Sequence, residues 1–276
     1  MAGQKPPIID VHLHALTLAD FAMSAPLGLR RPGSQSEYMR ETLSILERYN
    51  IKAVTSGTHE IVKAWRGAAP ERIIPGFLLF NPEDASPEEL RESFRRGDVA
   101  VLGEVVTQYH GYPPDDPALE PFLAFAEEVD APVGIHMGPA PPGAAYTDWP
   151  KWRARLNDPL LLEEPLIRHP KLRVYVMHAG WPMLGEMIHL LHLHPQVFVD
   201  VGAIDWAFPR SEFHYYLRRL VEAGFGERVM FGSDQMIWPK AIPLAIEAIE
   251  AAEFLTDEQK RDIMYCNAAR FLRIEE

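Results

Sequence analysis

Six histidine and acidic residues are of the types and spacing that bind a metal ion. His12 and His14 alternate along an apolar run, so in a β-strand both side chains point to the same face. Four more candidate ligands stand in or at the ends of similar runs: Glu104, His136, His178 and Asp234. Imidazole and carboxylate groups without sulfur suit Zn²⁺, Mn²⁺, Fe²⁺ or Ni²⁺. Such an ion lowers the pKa of a bound water to about 7, which favours hydrolysis.

Each of these residues also has a structural interpretation. A strand-end histidine is commonly hydrogen-bonded within the fold, a lone glutamate can belong to an ion pair, and Asp234 could cap the next helix. A second His-x-His pair, His192 and His194, ends a predicted helix, where we interpret it as solvated. We favour the metal site because all six candidates fall at the same ends of predicted strands.

Eight short apolar runs rich in β-branched residues predict the strands that position these side chains. They cover residues 8–14, 51–57, 73–80, 99–106, 132–138, 172–178, 196–202 and 228–234. Amphipathic segments predict helices between and after them, at 36–49, 59–67, 87–97, 117–129, 158–168, 182–194, 211–223, 240–252 and 256–271. Strands that are apolar on both faces indicate a parallel sheet. We therefore predict an α/β fold, a single (β/α)8 TIM barrel with an extra C-terminal helix, as one domain over residues 1–276.

Barrel enzymes carry their active sites at the carboxyl ends of the strands, so all six candidates would point into one central site. The loops that leave these ends, notably 15–35 and 138–157, are rich in aromatic and arginine residues. The side chains we predict to contact substrate are Tyr109, Trp149, Arg153, Trp181, Trp206 and Trp238. The aromatic ones would form an apolar wall, and Arg153 would bind a carboxylate. Packing of loops onto the barrel is the alternative role.

Composition restricts the classes of partner. With 27 basic and 39 acidic residues the formal net charge is −12, which opposes binding to nucleic acid or anionic membrane. The first residues lack a signal-peptide pattern, and no run of 18 apolar residues occurs. The single cysteine, Cys266, excludes an intramolecular disulfide. We expect a cytoplasmic protein that acts on a small molecule, and a homodimer is the commonest assembly for such enzymes.

The runs IIDVHLH, GIHMG, VMHAG, FGSD and NAARFL resemble the amidohydrolase superfamily, and within it the branch of aminocarboxymuconate-semialdehyde decarboxylase-like enzymes. The resemblance spans the chain and implies a metal-dependent barrel enzyme. It implies metal ligands at His12, His14, His136 and Asp234. His178 matches a position that either binds a second metal or orients the attacking water.

Strand 4 decides the number of metal ions that the resemblance implies. Many two-metal members carry a carboxylated lysine there, and the run VAVLGEVV has no lysine. Glu104 instead resembles the metal-binding glutamate of TatD-type nucleases. It would either bridge two ions about 3.5–4 Å apart or support a single ion as a hydrogen-bonded partner or base. We expect one or two divalent ions per chain, Zn²⁺ first among them, and favour two slightly.

The predicted function is hydrolysis of an amide, ester or lactone bond in a small molecule. Asp234 would take a proton from the attacking water and pass it to the leaving group. His178 or the metal would polarise the scissile carbonyl. The same site could instead decarboxylate or hydrate a small carboxylic acid. A third interpretation is a non-catalytic scaffold that a metal ion stabilises.

Overall fold

The computed structural model describes residues 6–20 and 26–274. Its strands form one eight-stranded sheet in chain order, and the pairings from the first strand to the seventh are parallel. They are β1 (Ile8–Ala15), β2 (Ile51–Gly57), β3 (Ile73–Leu79), β4 (Val101–Val105), β5 (Val133–His136), β6 (Val174–Met177), β7 (Val197–Asp200) and β8 (Val229–Met230).

An α-helix follows every strand. The helices are α1 (Gln35–Tyr49), α2 (His59–Ala68), α3 (Pro87–Arg96), α4 (Glu120–Glu128), α5 (Glu163–Arg168), α6 (Leu184–Leu193), α7 (Arg210–Leu220), α8 (Ala241–Glu250), α9 (Asp257–Arg261) and α10 (Asn267–Leu272). Eight strand–helix units with sequential parallel strands are the (β/α)8 topology, so the predicted fold class is confirmed. Within the described ranges, none of the helices has the length and apolar content needed to span a bilayer.

The chain falls into two compact units, one of residues 1–75 and 200–276 and the other of residues 76–199. The single domain over 1–276 stays a prediction. In the first unit, β1 pairs with β2 from Ile8 opposite Ile51 to Ala15 opposite Gly57. Every residue of β1 is buried, as expected for a parallel strand covered on both faces.

In the second unit, β5 and β6 pair without interruption, from Val133 opposite Val174 to His136 opposite Met177. Tyr175 of β6 is fully buried, and Gly134 makes room for its ring. A Cβ atom at Gly134 would lie 2.4 Å from Tyr175 Cζ. The strand that ends in His136 therefore needs a glycine two residues earlier.

Six strands end before their predicted limits, and after two of them a candidate ligand takes a left-handed backbone conformation. β8 covers Val229–Met230 instead of 228–234, and Asp234 has a φ of 44°. β6 ends at Met177, and His178 has a φ of 57°. A strand cannot continue through such a residue, so β6 ends directly before His178. Asp234 lies in the loop four residues beyond the end of β8.

The predicted helix at 256–271 is two helices, α9 and α10, joined by a π-helical segment at Asp262–Cys266. The predicted helix at 158–168 begins as a 3₁₀ turn, Pro159–Leu162, and becomes α-helical at α5. Both corrections concern helix geometry and leave the order of the elements unchanged.

We predict that Gly134→Ala lowers the free energy of unfolding by about 1–3 kcal/mol, because the new methyl group overlaps a buried tyrosine ring. Gly67→Ala is the matched control: it lies in α2 with no atom within 4 Å of the added Cβ, and alanine there should stabilise by about 0.5–1 kcal/mol. Urea unfolding of both variants measures the difference. Equal stability of the two would contradict the packing argument.

Candidate functional site

The end of β1 and the turn after β8 bring two imidazoles and a carboxylate together in the first unit. Asp234 Oδ1 lies 3.1 Å from His14 Nε2 and 3.5 Å from His12 Nε2. All three residues are buried, and their ligand atoms lie within 4.8 Å of one another. Two imidazoles and one carboxylate are a donor set that divalent transition metals accept. We refer to His12, His14 and Asp234 as the β1–β8 cluster, and its geometry fits a metal ion.

The backbone fixes the position of Asp234. Its N–H donates to the carbonyl of His12 at 2.6 Å, and its left-handed conformation turns the side chain toward the two histidines. Aspartate tolerates this conformation better than most residues do. The turn is therefore compatible with the residue type that the site needs.

Asp10 joins β1 to the same turn. Its Oδ1 atom accepts hydrogen bonds from the backbone N–H groups of His12, at 3.0 Å, and Ser233, at 2.9 Å. Asp10 is fully buried, and burial raises its pKa to about 6 although these hydrogen bonds oppose the shift. A single carboxyl thus positions the residue before Asp234 and the backbone of His12.

Asp200, the last residue of β7, contacts the ring of His12. Its Oδ2 atom lies 3.1 Å from His12 Nδ1, and its Oδ1 atom accepts the N–H of Gly202 at 2.8 Å. Both side chains have no exposed surface. The sequence analysis missed this residue, although an aspartate inside the apolar run QVFVDVG was a visible signal.

Tyr38 of α1 and Gln235, the residue after Asp234, contact the end of β1. The Tyr38 hydroxyl faces the carbonyl oxygens of His14 and Met236, and Gln235 Nε2 donates to the His14 carbonyl at 2.7 Å and to the Tyr38 hydroxyl at 2.8 Å. Burial raises the pKa of Tyr38, so the hydroxyl keeps its proton at neutral pH. The role that these contacts indicate is to hold the backbone beside His14.

A second cluster lies in the second unit and consists of Glu104, His136 and His178. Glu104 Oε1 lies 2.7 Å from His136 Nδ1, and His178 Nε2 lies 3.0 Å from the same nitrogen and 3.7 Å from the Glu104 oxygen. All three residues are buried. We name it the β4–β6 cluster after the strands that carry or precede its members. A carboxylate against an imidazole in this way can orient the ring or move a proton.

Gly138 explains one of the sequence motifs. A Cβ atom there would lie 2.4 Å from His178 Cδ2, so the last residue of GIHMG must be glycine for His178 to take its place. The backbone of His178, Ala179 and Gly180 has three successive left-handed residues, with φ values of 57°, 49° and 70°. This turn directs the histidine back over the end of β5.

Aromatic rings surround His136. Its ring centroid lies 5.8 Å from those of Tyr109 and Trp152, and Tyr109 lies 4.5 Å from Trp152 and 5.0 Å from Trp149. Phe80, at the end of β3, adds a ring 5.0 Å from Trp149. The structure therefore groups the predicted residues Tyr109 and Trp149 beside a predicted ligand. Phe80 was missed because nothing distinguished it from the other apolar residues of its run.

The other predicted substrate contacts have different surroundings. The exposed Arg153 donates to the backbone carbonyls of Pro150 and Trp152 and so stabilises its own loop. Trp206 and Trp238 are buried in the first unit with ring centroids 6.3 Å apart. Trp181 is half-buried in the turn after His178. Substrate contact by these four residues stays a prediction, as does a single site formed by all six candidate ligands.

Asp205, in the turn after β7, is a further buried acidic residue of the first unit. It is 1% exposed, and neither carboxyl oxygen has a hydrogen-bond partner among the described residues. Burial, followed by the negative charges of Asp10 and Asp200, raises its pKa well above the usual range. The structure therefore favours the protonated form of this side chain.

Comparison with known proteins gives a family and a fold. A family model described as amidohydrolase matches residues 9–274. No curated protein matches the chain in sequence. A probable 2-pyrone-4,6-dicarboxylic acid hydrolase from Acinetobacter baumannii, solved with citric acid bound, is 16% identical with a TM-score of 0.67, and the match covers 97% of this chain and 99% of that one.

Two solved decarboxylases are also similar. A 2,6-dihydroxybenzoate decarboxylase from Rhizobium is 14% identical with a TM-score of 0.66, over 99% of this chain and 100% of that one. A 5-carboxyvanillate decarboxylase from Novosphingobium aromaticivorans, complexed with manganese, is 15% identical with a TM-score of 0.65, over 97% and 96%. At these identities the three structures show a shared fold.

We predict that Asp205→Asn stabilises the metal-free protein at neutral pH. The pKa of Asp205 is higher in the folded than in the unfolded state, so this side chain lowers the free energy of unfolding as pH rises above the unfolded pKa near 4. The loss is about 1.4 kcal/mol per pH unit until the folded pKa is reached. The amide has the same shape and no proton to gain. Urea unfolding in chelator at about pH 5 and about pH 8 should show a gain that grows with pH.

The control is Asp98→Asn, which removes one charge from a surface pair with Arg96 and should change stability little at either pH. A constant difference between Asp205→Asn and the wild type across the pH range would show that Asp205 is ionised in the fold.

Proposed function

The chain belongs to the amidohydrolase family, and from this premise we propose that it is a divalent-metal-dependent hydrolase of an ester, lactone or amide bond in a small molecule. The observation that carries the proposal is the β1–β8 cluster, in which Asp234 Oδ1 lies 3.1 Å from His14 Nε2 and 3.5 Å from His12 Nε2. These three buried side chains would hold the metal. The resemblance adds His136 as a ligand, and that assignment is part of the proposal.

A divalent metal, when bound, supplies a Lewis acid that makes water nucleophilic at neutral pH and polarises a carbonyl. In our proposal Asp234 accepts the proton of the attacking water and returns it to the leaving group. Asp10 and Asp200 support this role because they fix the backbone and the ring of His12 beside Asp234. Zn²⁺ is the ion we propose first, and Mn²⁺ is supported by the manganese complex of the Novosphingobium decarboxylase.

The β4–β6 cluster would supply the other polar groups of the reaction. Glu104 Oε1 at 2.7 Å from His136 Nδ1 supports the interpretation of Glu104 as the partner that orients His136. Its alternative role as a bridge between two ions stays part of the proposal. His178, 3.0 Å from His136 Nδ1, would polarise the scissile carbonyl or orient the water.

The aromatic rings beside His136 support a planar substrate. Tyr109, Trp149 and Trp152 offer ring faces and edges at 4.5–5.8 Å from their neighbours, the spacing of stacked and T-shaped pairs. A lactone or ester of an unsaturated ring acid combines a flat apolar body with a hydrolysable bond. The Acinetobacter relative is named for the hydrolysis of such a compound.

Decarboxylation of a small aromatic acid is the second candidate function. The same rings and the same metal ligands would suit it, and two of the similar structures are decarboxylases of substituted benzoates.

The net charge of −12 supports a small-molecule partner over nucleic acid or an anionic membrane. A cytoplasmic location and a homodimer complete the proposal.

We predict that Asp234→Asn lowers turnover by at least about 100-fold, because it removes the proposed base. The assay is a panel of lactones, esters and carboxylic acids of planar ring compounds, with products identified by mass spectrometry. Gain of water marks a hydrolase, and loss of carbon dioxide marks a decarboxylase. Asp98→Asn, which removes an equal charge at the surface, should retain full turnover.

Unchanged turnover in Asp234→Asn would contradict the mechanism. Loss of carbon dioxide from a substrate, with no hydrolysis of any ester or lactone, would replace the hydrolase by the second candidate. Circular dichroism of the variant shows whether the fold is retained.

We predict that the wild type purified without chelator, then loaded with Zn²⁺ and desalted, retains about one ion per chain. His14→Gln should lose affinity by at least about 10-fold, since even partners of metal ligands contribute that much. His192→Gln is the matched control, because it changes the exposed histidine of the other His-x-His pair. Metal analysis of the three proteins provides the measurement.

Retention of about two ions would support Glu104 as a bridging ligand. Equal metal content in His14→Gln and the wild type would remove the β1–β8 cluster from the proposal. Absence of metal from the loaded wild type would contradict the metal-dependent function itself.

A further inference from the structure

Asp200 is a buried acid that contacts the ring of His12, but in the proposed reaction it neither binds the metal nor moves a proton. It ends β7, has no exposed surface and uses its two oxygens for different partners. Oδ1 accepts the N–H of Gly202 at 2.8 Å, and Oδ2 faces Nδ1 of His12 at 3.1 Å. Burial of a carboxyl is costly unless such partners compensate it, so the contact with His12 needs an explanation.

The contact with Asp200 determines which ring nitrogen of His12 carries the proton. A carboxylate offers only acceptor oxygens, so the imidazole nitrogen that faces Oδ2 must carry hydrogen. With the proton on Nδ1, the lone pair of the neutral ring is on Nε2. Nε2 is the atom 3.5 Å from Asp234 Oδ1, on the side of the β1–β8 cluster.

Two glycines allow the ring and the carboxyl to pack this closely. A Cβ atom at Gly202 would lie 3.0 Å from His12 Nδ1 and 3.2 Å from Asp200 Oδ1. A Cβ atom at Gly232 would lie 2.8 Å from His12 Cβ and 3.2 Å from Asp200 Cγ. Larger residues at either position would displace the pair, so the surrounding backbone fits this single arrangement.

We propose that Asp200 is a positioning residue that holds His12 in the tautomer protonated on Nδ1 and thereby presents Nε2 as a metal ligand. The inference rests on the proposed metal-dependent function for its purpose. The inferred tautomer of His12 does not depend on whether metal binds. Carboxylates that contact metal-binding histidines in this way typically change metal affinity by about 10–100-fold.

Asp200→Asn is a sharp test because it keeps the shape and reverses one hydrogen-bonding role. If the amide oxygen still accepts the N–H of Gly202, the amide NH₂ faces His12 Nδ1 and moves the ring proton to Nε2. If the amide rotates, its NH₂ opposes the N–H of Gly202. The first arrangement removes the lone pair of His12 Nε2. The second places two donors against each other and loses the hydrogen bond from Gly202, so we expect the first.

Asp98→Asn is the control for loss of charge. It replaces an aspartate by an amide as Asp200→Asn does, but Asp98 pairs with Arg96 at the surface of the second unit. A general effect of the lost charge on Zn²⁺ binding would affect both variants, whereas loss of the contact with His12 affects Asp200→Asn only.

The experiment has two readouts. Imidazole ¹⁵N shifts of the metal-free proteins report the tautomer of His12, with its signals assigned by their loss in His12→Gln. Competition with a chelating dye reports the affinity for Zn²⁺. We expect an Nδ1-protonated ring in the wild type and in Asp98→Asn, an Nε2-protonated ring in Asp200→Asn, and a loss of affinity of about 10–100-fold in Asp200→Asn alone.

An unchanged tautomer and affinity in Asp200→Asn, or an equal loss in Asp98→Asn, would overturn the inference. If Asp200→Asn does not fold, the wild-type spectrum decides: an Nε2-protonated His12 would overturn the proposal. A wild type that binds no Zn²⁺ but shows the Nδ1-protonated ring would contradict the proposed function and leave the role of Asp200 in orienting His12 intact.

Discussion

The constraint on which the first unit depends is the burial of acidic groups around one histidine. Asp10, Asp200 and Asp205 are all at most 1% exposed, and each meets the cost of burial differently. Backbone N–H groups compensate Asp10 and Asp200, whereas the raised pKa of Asp205 favours a protonated acid. Glycines at 202 and 232, and the left-handed turn at Asp234, follow from the need to bring backbone donors this close. The local fold is therefore largely a consequence of placing carboxyl groups beside His12.

The two clusters differ in what surrounds them, and the difference suits different parts of a reaction. Carboxyl groups lie beside the histidines of the β1–β8 cluster, and an ionised carboxylate attracts a cation. Aromatic rings surround His136 in the β4–β6 cluster, and they favour a flat apolar molecule over a charged one. Each unit thus carries histidine and carboxylate groups, and these groups have a different environment in each unit.

The sequence predicts the order of strands and helices because most of the strands are buried on both faces, so that their runs are largely apolar. It predicts the residue types at the strand ends because the candidate metal-binding side chains interrupt the apolar runs. It does not predict that His178 and Asp234 leave the strand through left-handed turns, since that depends on hydrogen bonds such as Asp234 N–H to the His12 carbonyl. Asp200 escaped notice because a lone acid in an apolar run has no meaning until its partner, 188 residues away, is known.

Most of the residues that we propose to bind metal lie on strands, whereas the aromatic residues that we propose to contact substrate lie on loops. His12, His14 and His136 lie within strands whose pairing and burial fix their positions. Tyr109, Trp149 and Trp152 lie on segments after β4 and β5, which can change without cost to the barrel. Relatives at 14–16% identity can therefore keep this fold while their names describe different reactions. In our proposal, the rings beside His136 are therefore the part of this chain that determines the substrate.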